Sequence, residues 1–309
     1  MHSFPVGLLV CDFDETITQN DSICELANLA YDKRAKQGKC PPSPPNCPPL
    51  NDKDEECPPP WSYFVELYFK EYKEHVKRWH ERNPDDTIQD HFKMLESLKK
   101  VENISIDRIE RYDCMKGVCD NELIEKGKSI KKREDVLNTL KKFISKPKHE
   151  INGMNIHMDR NLYIISTNWS KDVILGSLFE LVLEYKFDKR FIYSNDLIFN
   201  NNCTTGKLNR KVLCATDKLE IFKQFHTPKD TLSVYIGDSD TDLPCLLQAN
   251  IGIIMGNNKT LTKYCNKYGI VIVEGLTDRV EIYDGTEQKN GKLYRVQGWK
   301  EIADSGLLN

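Results

Sequence analysis

The stretch VGLLVCDFDETIT, residues 6–18, decides how the rest of the chain reads. Val6 to Cys11 is a short apolar run with the character of a buried parallel strand. It ends abruptly in Asp12, Phe13, Asp14, Glu15 and Thr16. Three carboxylates within four residues repel one another and resist desolvation at the mouth of such a strand. A divalent cation would resolve the conflict, because hard Mg²⁺ takes oxygen ligands and often only one or two carboxylates. A polar turn, with Asp14 or Thr16 as a local cap, is the alternative.

A second stretch far downstream repeats the pattern. TLSVYIGDSDTDL, residues 231–243, is an apolar run followed by Gly237 and then Asp238, Asp240 and Asp242. In an open α/β sheet, ligand groups gather outside the carboxyl ends of the strands, so two strands ending in acids can share one site. A calcium-binding loop counted from Asp238 is excluded. Its sixth position is Leu243 rather than Gly, and its twelfth is Ala249 rather than Glu.

Between these stretches the chain changes character. Ile23, Leu26, Ala27, Ala30 and Tyr31 recur at helical spacing, with Asn20, Asp21 or Ser22 available as a cap. The helix is expected to stop at Gly38. Residues 39–60 hold nine prolines, which neither continue a helix nor join a central strand, so a surface insertion is expected there. Residues 61–145 read as helical, with an aromatic stripe at Tyr63, Phe64, Leu67, Tyr68 and Tyr72, and Ser105 as an expected N-cap. After 150, strands and helices alternate: strands at 161–166, 190–199, 231–237, 251–255 and 269–273, and helices between most of them. That alternation implies a parallel sheet with both faces covered. A turn near Asn290–Gly291 and a short helix around Trp299 close the chain.

The chain has 309 residues, 39% hydrophobic and 29% charged, which fits a globular protein with room for a core and a smaller second unit. A net charge of −3 argues against a general nucleic-acid-binding surface. No apolar run approaches membrane-spanning length, so no membrane partner is expected. The start of the chain lacks the pattern of a signal peptide. The eleven scattered cysteines read as reduced, with Cys11, Cys24, Cys214 and Cys245 in apolar surroundings, which points to a cytoplasmic protein. Oligomeric state is not legible.

DFDET at 12–16 and GDSDTD at 237–242 resemble the first and fourth motifs of the haloacid dehalogenase-like phosphatases. Ser166, ending LYIIS, stands where the second motif falls, and Lys218 in TDKLEIF where the third does. The resemblance spans most of the chain and rests on four motifs in order. It implies a doubly wound, Rossmann-like α/β parallel sheet as catalytic core, formed by residues 1–21 and 151–309. An α-helical cap, residues 22–150, would be inserted after the first motif, as in the phosphoserine-phosphatase-like branch.

The resemblance also implies roles. Asp12 would attack phosphorus, and Asp14 would protonate the leaving oxygen and later deprotonate water. Ser166 and Lys218 would hold the phosphoryl oxygens. Mg²⁺ would be held by Asp12, the Asp14 backbone carbonyl and Asp238, with Asp242 either near the metal or orienting Lys218. Thr16 and Asn168 lie within the matched motifs and are expected to face the substrate. Asp21, nine positions after Asp12, stands where phosphoserine phosphatases hold the substrate ammonium; as a helix cap it has an equally good local reason. Trp169 stands where those enzymes carry a glycine pair, which disfavours phosphoserine and suits a cationic organic phosphate. STNWS, CTTGKLNRKV and DKLEIF are similar to the phosphatase domain of plant bifunctional thiamine-phosphate-processing enzymes and to fungal relatives, which suggests thiamine monophosphate. A small phosphorylated metabolite is therefore the expected partner. A phosphotransferase or mutase, or a non-catalytic regulatory protein, are the competing readings.

Overall fold

The structure, a computed structural model, describes residues 5–38, 58–84, 86–145, 149–151, 154–156, 160–276 and 292–308. Residues 39–57 of the expected Pro-rich insertion, with Cys40, Cys47 and Cys57, and the turn at Asn290–Gly291 lie outside them.

In chain order the elements are β1 (Val6–Cys11), α1 (Ile23–Lys36), α2 (Trp61–Arg82), α3 (Ile88–Ser97), α4 (Lys99–Arg111), β2 (Lys116–Cys119), α5 (Asp120–Ser129) and α6 (Val136–Ser145). There follow β3 (His149–Ile151), β4 (Met154–Ile156), β5 (Asn161–Ile165), α7 (Lys171–Ser177), α8 (Phe179–Tyr185), β6 (Ile192–Tyr193), β7 (Asp196–Asn200) and β8 (Cys203–Asn209). The last are α9 (Ala215–Gln224), β9 (Leu232–Gly237), α10 (Leu243–Gln248), β10 (Ile251–Met255), α11 (Lys259–Lys267), β11 (Val271–Glu274), β12 (Lys292–Val296) and α12 (Trp299–Ser305).

Seven strands form one parallel sheet in the order β11-β12-β10-β9-β1-β5-β6. The chain leaves β1 toward β5 on one side and later adds β9 on the other. The sheet is therefore an α/β Rossmann-like arrangement with a topological switch point beside β1. Its two faces follow the strand period of two. Val6, Leu9 and Cys11 of β1, with Val234 and Ile236 of β9, pack against α6, α7 and α12. Leu8, Val10 and Tyr235 turn the other way, into the cluster of α9, α10 and α11. Every residue of β1, β9 and β10 is buried, as continuous apolar runs under helices on both faces require.

A second cluster joins the long excursion after β1 to later chain. Leu26 of α1, Phe64 of α2, Ile109 of α4 and Leu123 of α5 meet Trp169, Leu197 and Leu208. Lys116–Cys119, expected to be helical, is a strand: β2 pairs with β8 and β8 with β7 in a three-stranded antiparallel sheet. Of the NNNCTTGK stretch at 200–207, which reads from sequence as a turn, Cys203 onward belongs to its central strand. Helix α6, within the excursion, packs instead on the seven-stranded sheet through Val136, Leu140 and Phe143.

Three further expectations change. Ser105 lies inside α4, buried, and caps nothing; the break falls at Leu98, and Thr87 with Asp90 forms a capping box that starts α3. The cysteines are not all free thiols, because the β2–β8 register sets Cys119 opposite Cys203 and the two form a disulfide. Cys24 is exposed, whereas Cys11, Cys214 and Cys245 are buried free thiols.

Helices α5 and α7 cross so closely that a Cβ on Gly176 would overlap the Ile124 carbonyl oxygen. Helix propensity alone makes Gly→Ala favourable by roughly 1 kcal/mol. Here overpacking wins. Gly176→Ala is expected to destabilise the protein by about 1–3 kcal/mol, read as a lowered urea midpoint at unchanged slope.

Candidate active site

The carboxyl ends of β1, β5 and β9 lie side by side at the switch point, and they deliver Asp12, Ser166 and Asp238 to one place. Asp12 begins there as an extension of the sheet, its N–H donating to the Ile236 carbonyl at 2.9 Å. The loop after it turns tightly. Ile17 and Thr18 both donate to the Phe13 carbonyl, and Glu15 adopts φ 57°. A left-handed conformation is costly for a residue with a side chain and persists where surroundings over-determine it. Those surroundings are present: Arg133 Nε donates to the Glu15 carbonyl at 2.8 Å, the indole N–H of Trp299 to the Thr16 carbonyl at 2.8 Å, and the Arg133 N–H to the Ile17 carbonyl at 2.8 Å.

At the centre lies Lys218, carried into the site by α9 and almost wholly buried. Its Nζ donates to Asp12 Oδ1 and to Asp242 Oδ1, each at 2.8 Å. Burial by itself lowers the pKa of an ammonium. The charges of Asp12 and Asp242 outweigh that and hold Lys218 above its ordinary value. Asp242 is fully committed. It also accepts from the Tyr235 hydroxyl at 2.9 Å, and its Oδ2 accepts from the N–H and Oγ of Ser239. Of the two roles open to Asp242 from sequence, its contacts favour orienting the lysine.

Asp238 accepts from the Thr16 hydroxyl at 3.2 Å. One carboxylate oxygen each of Asp12, Asp238 and Asp242 lie within 4.8 Å of one another. Burial first, then Asp242, pushes the Asp12 carboxyl up against the pull of Lys218, and burial with Asp242 and Asp12 pushes Asp238 up further. Three buried carboxylates share one ammonium, so the cluster demands more positive charge than the protein supplies. All-oxygen donors in that deficit fit Mg²⁺.

Asp14 sits beside this cluster, half-buried and differently held. Its Oδ1 accepts from the N–H and Oγ of Ser22 at 2.8 and 2.6 Å, and its Oδ2 from Asn168 Nδ2 at 2.9 Å. Burial pushes its pKa up and these donors pull it down, leaving it above the usual carboxylate range. Asn168 also donates to Ser22 Oγ and accepts from the Ser170 N–H. Both ends of its buried amide are therefore spent on protein partners, so it positions Asp14. Sequence reasoning placed Asn168 against substrate; neither Ser22 nor this bridging arrangement carries a local signal. Thr16 likewise is buried and turned to Asp238. Ser166 is buried at the end of β5, its Oγ accepting from the Asn168 N–H at 3.1 Å.

A cavity of about 440 Å³ opens next to the acidic cluster, where Thr167 follows Ser166 and Thr241 precedes Asp242. Trp169 lines it, packed edge-on against Trp61 at 6.2 Å between ring centroids. Asp21 lines it as an exposed residue, with Oδ1 accepting from the Ile23 N–H at 2.7 Å. The capping contact and the cavity position hold together.

No family model matches the chain. It is 24% identical, over an alignment of 331 positions, to the "Bifunctional TH2 protein, mitochondrial" of Arabidopsis thaliana, covering 99% of this chain and 50% of that protein. The chain thus spans about half the length of its plant relative. It is 27% identical to a CTO1 family protein of Schizosaccharomyces pombe, covering 82% of each, and 22% identical to cold tolerance protein 1 of Saccharomyces cerevisiae, covering 96% of each. Among solved structures it is similar to a phosphoserine phosphatase in apo form, with a TM-score of 0.48, 14% identity, and 97% and 98% of the two chains covered.

Removing Lys218 while leaving its partners would strand two buried carboxylates. Lys218→Met is expected to cost about 3–5 kcal/mol of unfolding free energy in chelator-treated protein, measured by urea denaturation. Adding Asp242→Asn to that variant should recover part of the loss.

Proposed function

We propose that the chain is a Mg²⁺-dependent phosphomonoesterase acting on a small metabolite through an aspartyl-phosphate intermediate. The observation that carries this reading is the buried Asp12–Lys218–Asp242 arrangement with Asp238 alongside, at the adjoining ends of β1 and β9. A carboxylate with one oxygen fixed by an ammonium is oriented for attack. A buried acidic cluster short of positive charge calls for a cation, and a bound cation would in turn attract a phosphoryl group.

Asp12 would attack phosphorus, breaking the bond to the leaving alcohol oxygen, while Asp14 delivers its proton to that oxygen. Asp14, now a carboxylate, would take a proton from water as the water attacks the acyl phosphate, releasing inorganic phosphate and restoring Asp12. General acid–base work needs a pKa near the working pH, and the burial of Asp14 raises it in that direction. Asn168 and Ser22 would hold Asp14 in place. Ser166 and Lys218 would face the phosphoryl oxygens. Asp12, Asp238 and the Asp14 backbone carbonyl would hold Mg²⁺, which supplies charge stabilisation for the phosphoryl group.

Thiamine monophosphate is the finer reading. It is supported by the resemblance of STNWS, CTTGKLNRKV and DKLEIF to the plant thiamine-phosphate-processing phosphatase domain, and by a cavity whose lining includes Trp169 and Asp21. An aromatic face and a carboxylate suit a cationic ring. Among the described residues no helix is long and apolar enough to cross a membrane.

Phosphate release from a generic aryl phosphate is expected to fall on the order of 10⁴-fold or more in Asp12→Asn, and about 10²–10⁴-fold in Asp14→Asn. Unchanged turnover in Asp12→Asn excludes it as nucleophile. Chelation should abolish turnover and Mg²⁺ restore it. Mg²⁺ should also raise the melting temperature of the wild type but not of Asp238→Asn.

A further inference from the structure

The cavity has a second acid that the reaction does not use. Glu102, on α4, lines it from the helical side, and Tyr68 of α2 donates its hydroxyl to Glu102 Oε1 at 2.6 Å. Aromatic rings of Trp61, Phe64, Tyr68 and Trp169 form much of the remaining wall. Among the described residues that line it, none is lysine, arginine or histidine. Among those described residues the carboxylic acids in the wall are Asp21 and Glu102.

That composition selects its ligand. A substrate carrying a carboxylate, as an amino-acid phosphate does, would find repulsion and no base to pair with. A neutral polyol would leave aromatic faces and carboxylates without matching groups. A flat organic cation satisfies both, because ring faces attract positive charge and an enclosed carboxylate is costly until it is paired. Enclosure at the wall pushes the Glu102 carboxyl up to about 7 against the pull of the Tyr68 hydroxyl, so Glu102 in particular gains from a cationic neighbour. The volume, about 440 Å³, falls within the range that holds a small organic ligand.

We propose that Glu102 is a specificity-determining residue of this site, fixed by Tyr68, and that it recognises the positively charged nitrogen heterocycle of a substrate whose phosphate lies at Asp12. The assignment rests on the phosphatase reading for the location of the phosphate, and on the cavity itself for the cation. Tyr68 occupies one oxygen of Glu102 and sets the carboxylate plane. The ring of the ligand lies among the aromatic side chains, with its cationic or N–H edge toward Glu102.

Glu102→Gln is the informative variant, since glutamine still accepts the Tyr68 hydroxyl and removes only the charge. Steady-state kinetics would compare wild type, Glu102→Gln and Tyr68→Phe on thiamine monophosphate and on uncharged-ring naphthyl phosphate. Calorimetry would measure binding of thiamine and of 1-methylnicotinamide, two cations with a positively charged nitrogen heterocycle and no phosphate. Glu102→Gln is expected to raise KM for thiamine monophosphate at least tenfold with kcat within about twofold. Naphthyl phosphate should show no such rise in KM, and cation binding should weaken by the same tenfold. Tyr68→Phe should raise the same KM by a smaller factor. Equal effects on both esters, or no effect on either, overturn the assignment. If wild type hydrolyses neither ester, the phosphatase reading fails by itself, and calorimetry decides the cavity. A tenfold loss of cation binding in Glu102→Gln sustains the inference, whereas no loss, or no binding of either cation by wild type, overturns it.

Discussion

One ammonium group buried between two carboxylates sets the terms for the rest of this structure. Lys218 is enclosed by protein, and its Nζ bridges Asp12 and Asp242. Those residues come from positions 206 and 24 apart in the chain, so the contact exists only when the sheet has assembled. Taken out of water alone, each of the three groups would be strongly disfavoured; together they are tolerable but not satisfied. That remaining demand for positive charge is what the proposed reaction would use to draw in a cation together with a phosphoryl group. The polar partners of Asp242, Tyr235 and Ser239, keep it from relaxing toward solvent. Gly237 is part of the same device: a Cβ there would lie 2.5 Å from Asp242 Cγ, so only glycine lets the strand end approach that side chain.

The loop that carries Asp12 and Asp14 depends on parts of the chain that are remote in sequence. Arg133 closes over the Glu15 carbonyl as the chain returns from its helical excursion, and Trp299 of α12 reaches the Thr16 carbonyl from near the end. Gln19 donates to the Lys131 carbonyl, so the segment at 131–133 runs beside the loop on both sides of Thr18. These contacts hold a left-handed Glu15 that would not persist on its own. They also tie the loop to the base of the excursion, so a shift of that base would be felt at Asp14 before it reached Asp12.

What could be read from the sequence follows from which signals are local. An apolar run stopping in acids is a local pattern, and it located both Asp12 and Asp238 at strand ends of one sheet. Topology followed from the alternation after 150, because buried parallel strands are continuous apolar runs. Pairing between distant segments is not local. The β2–β8 pair joins Lys116–Cys119 to a stretch rich in Asn and Thr that resembles a turn, and nothing near either segment announces the disulfide. Ser105 misled because capping chemistry depends on where the previous turn ends, and here α4 begins six residues earlier, at Lys99. Asn168 was invisible as a support of Asp14 because its role arises from side chains meeting across 154 residues.

Chemistry and selectivity in this chain draw on different physics. The side chains proposed to face a phosphoryl group, Asp12, Ser166 and Lys218, stand at the carboxyl ends of β1 and β5 and on the adjoining α9, where backbone geometry is rigid and position is closely set. Side chains that would judge the rest of a substrate stand just before α1 (Asp21), on α2 and α4 (Tyr68 and Glu102) and after β5 (Trp169), and the helices there pack through an apolar cluster separate from those of the seven-stranded sheet. A phosphate is the same in every monoester, so its receptor has no reason to vary. The organic half differs from one metabolite to the next, and helices can exchange one side chain for another without disturbing the strand ends. Glu102 and Tyr68 show why this second set is hard to read in sequence. On amphipathic helices α2 and α4 they occupy positions where a glutamate ordinarily meets water and a tyrosine ordinarily fills a core. Only the crossing of the two helices turns the pair inward together, and charge alone then distinguishes a recognition element from packing.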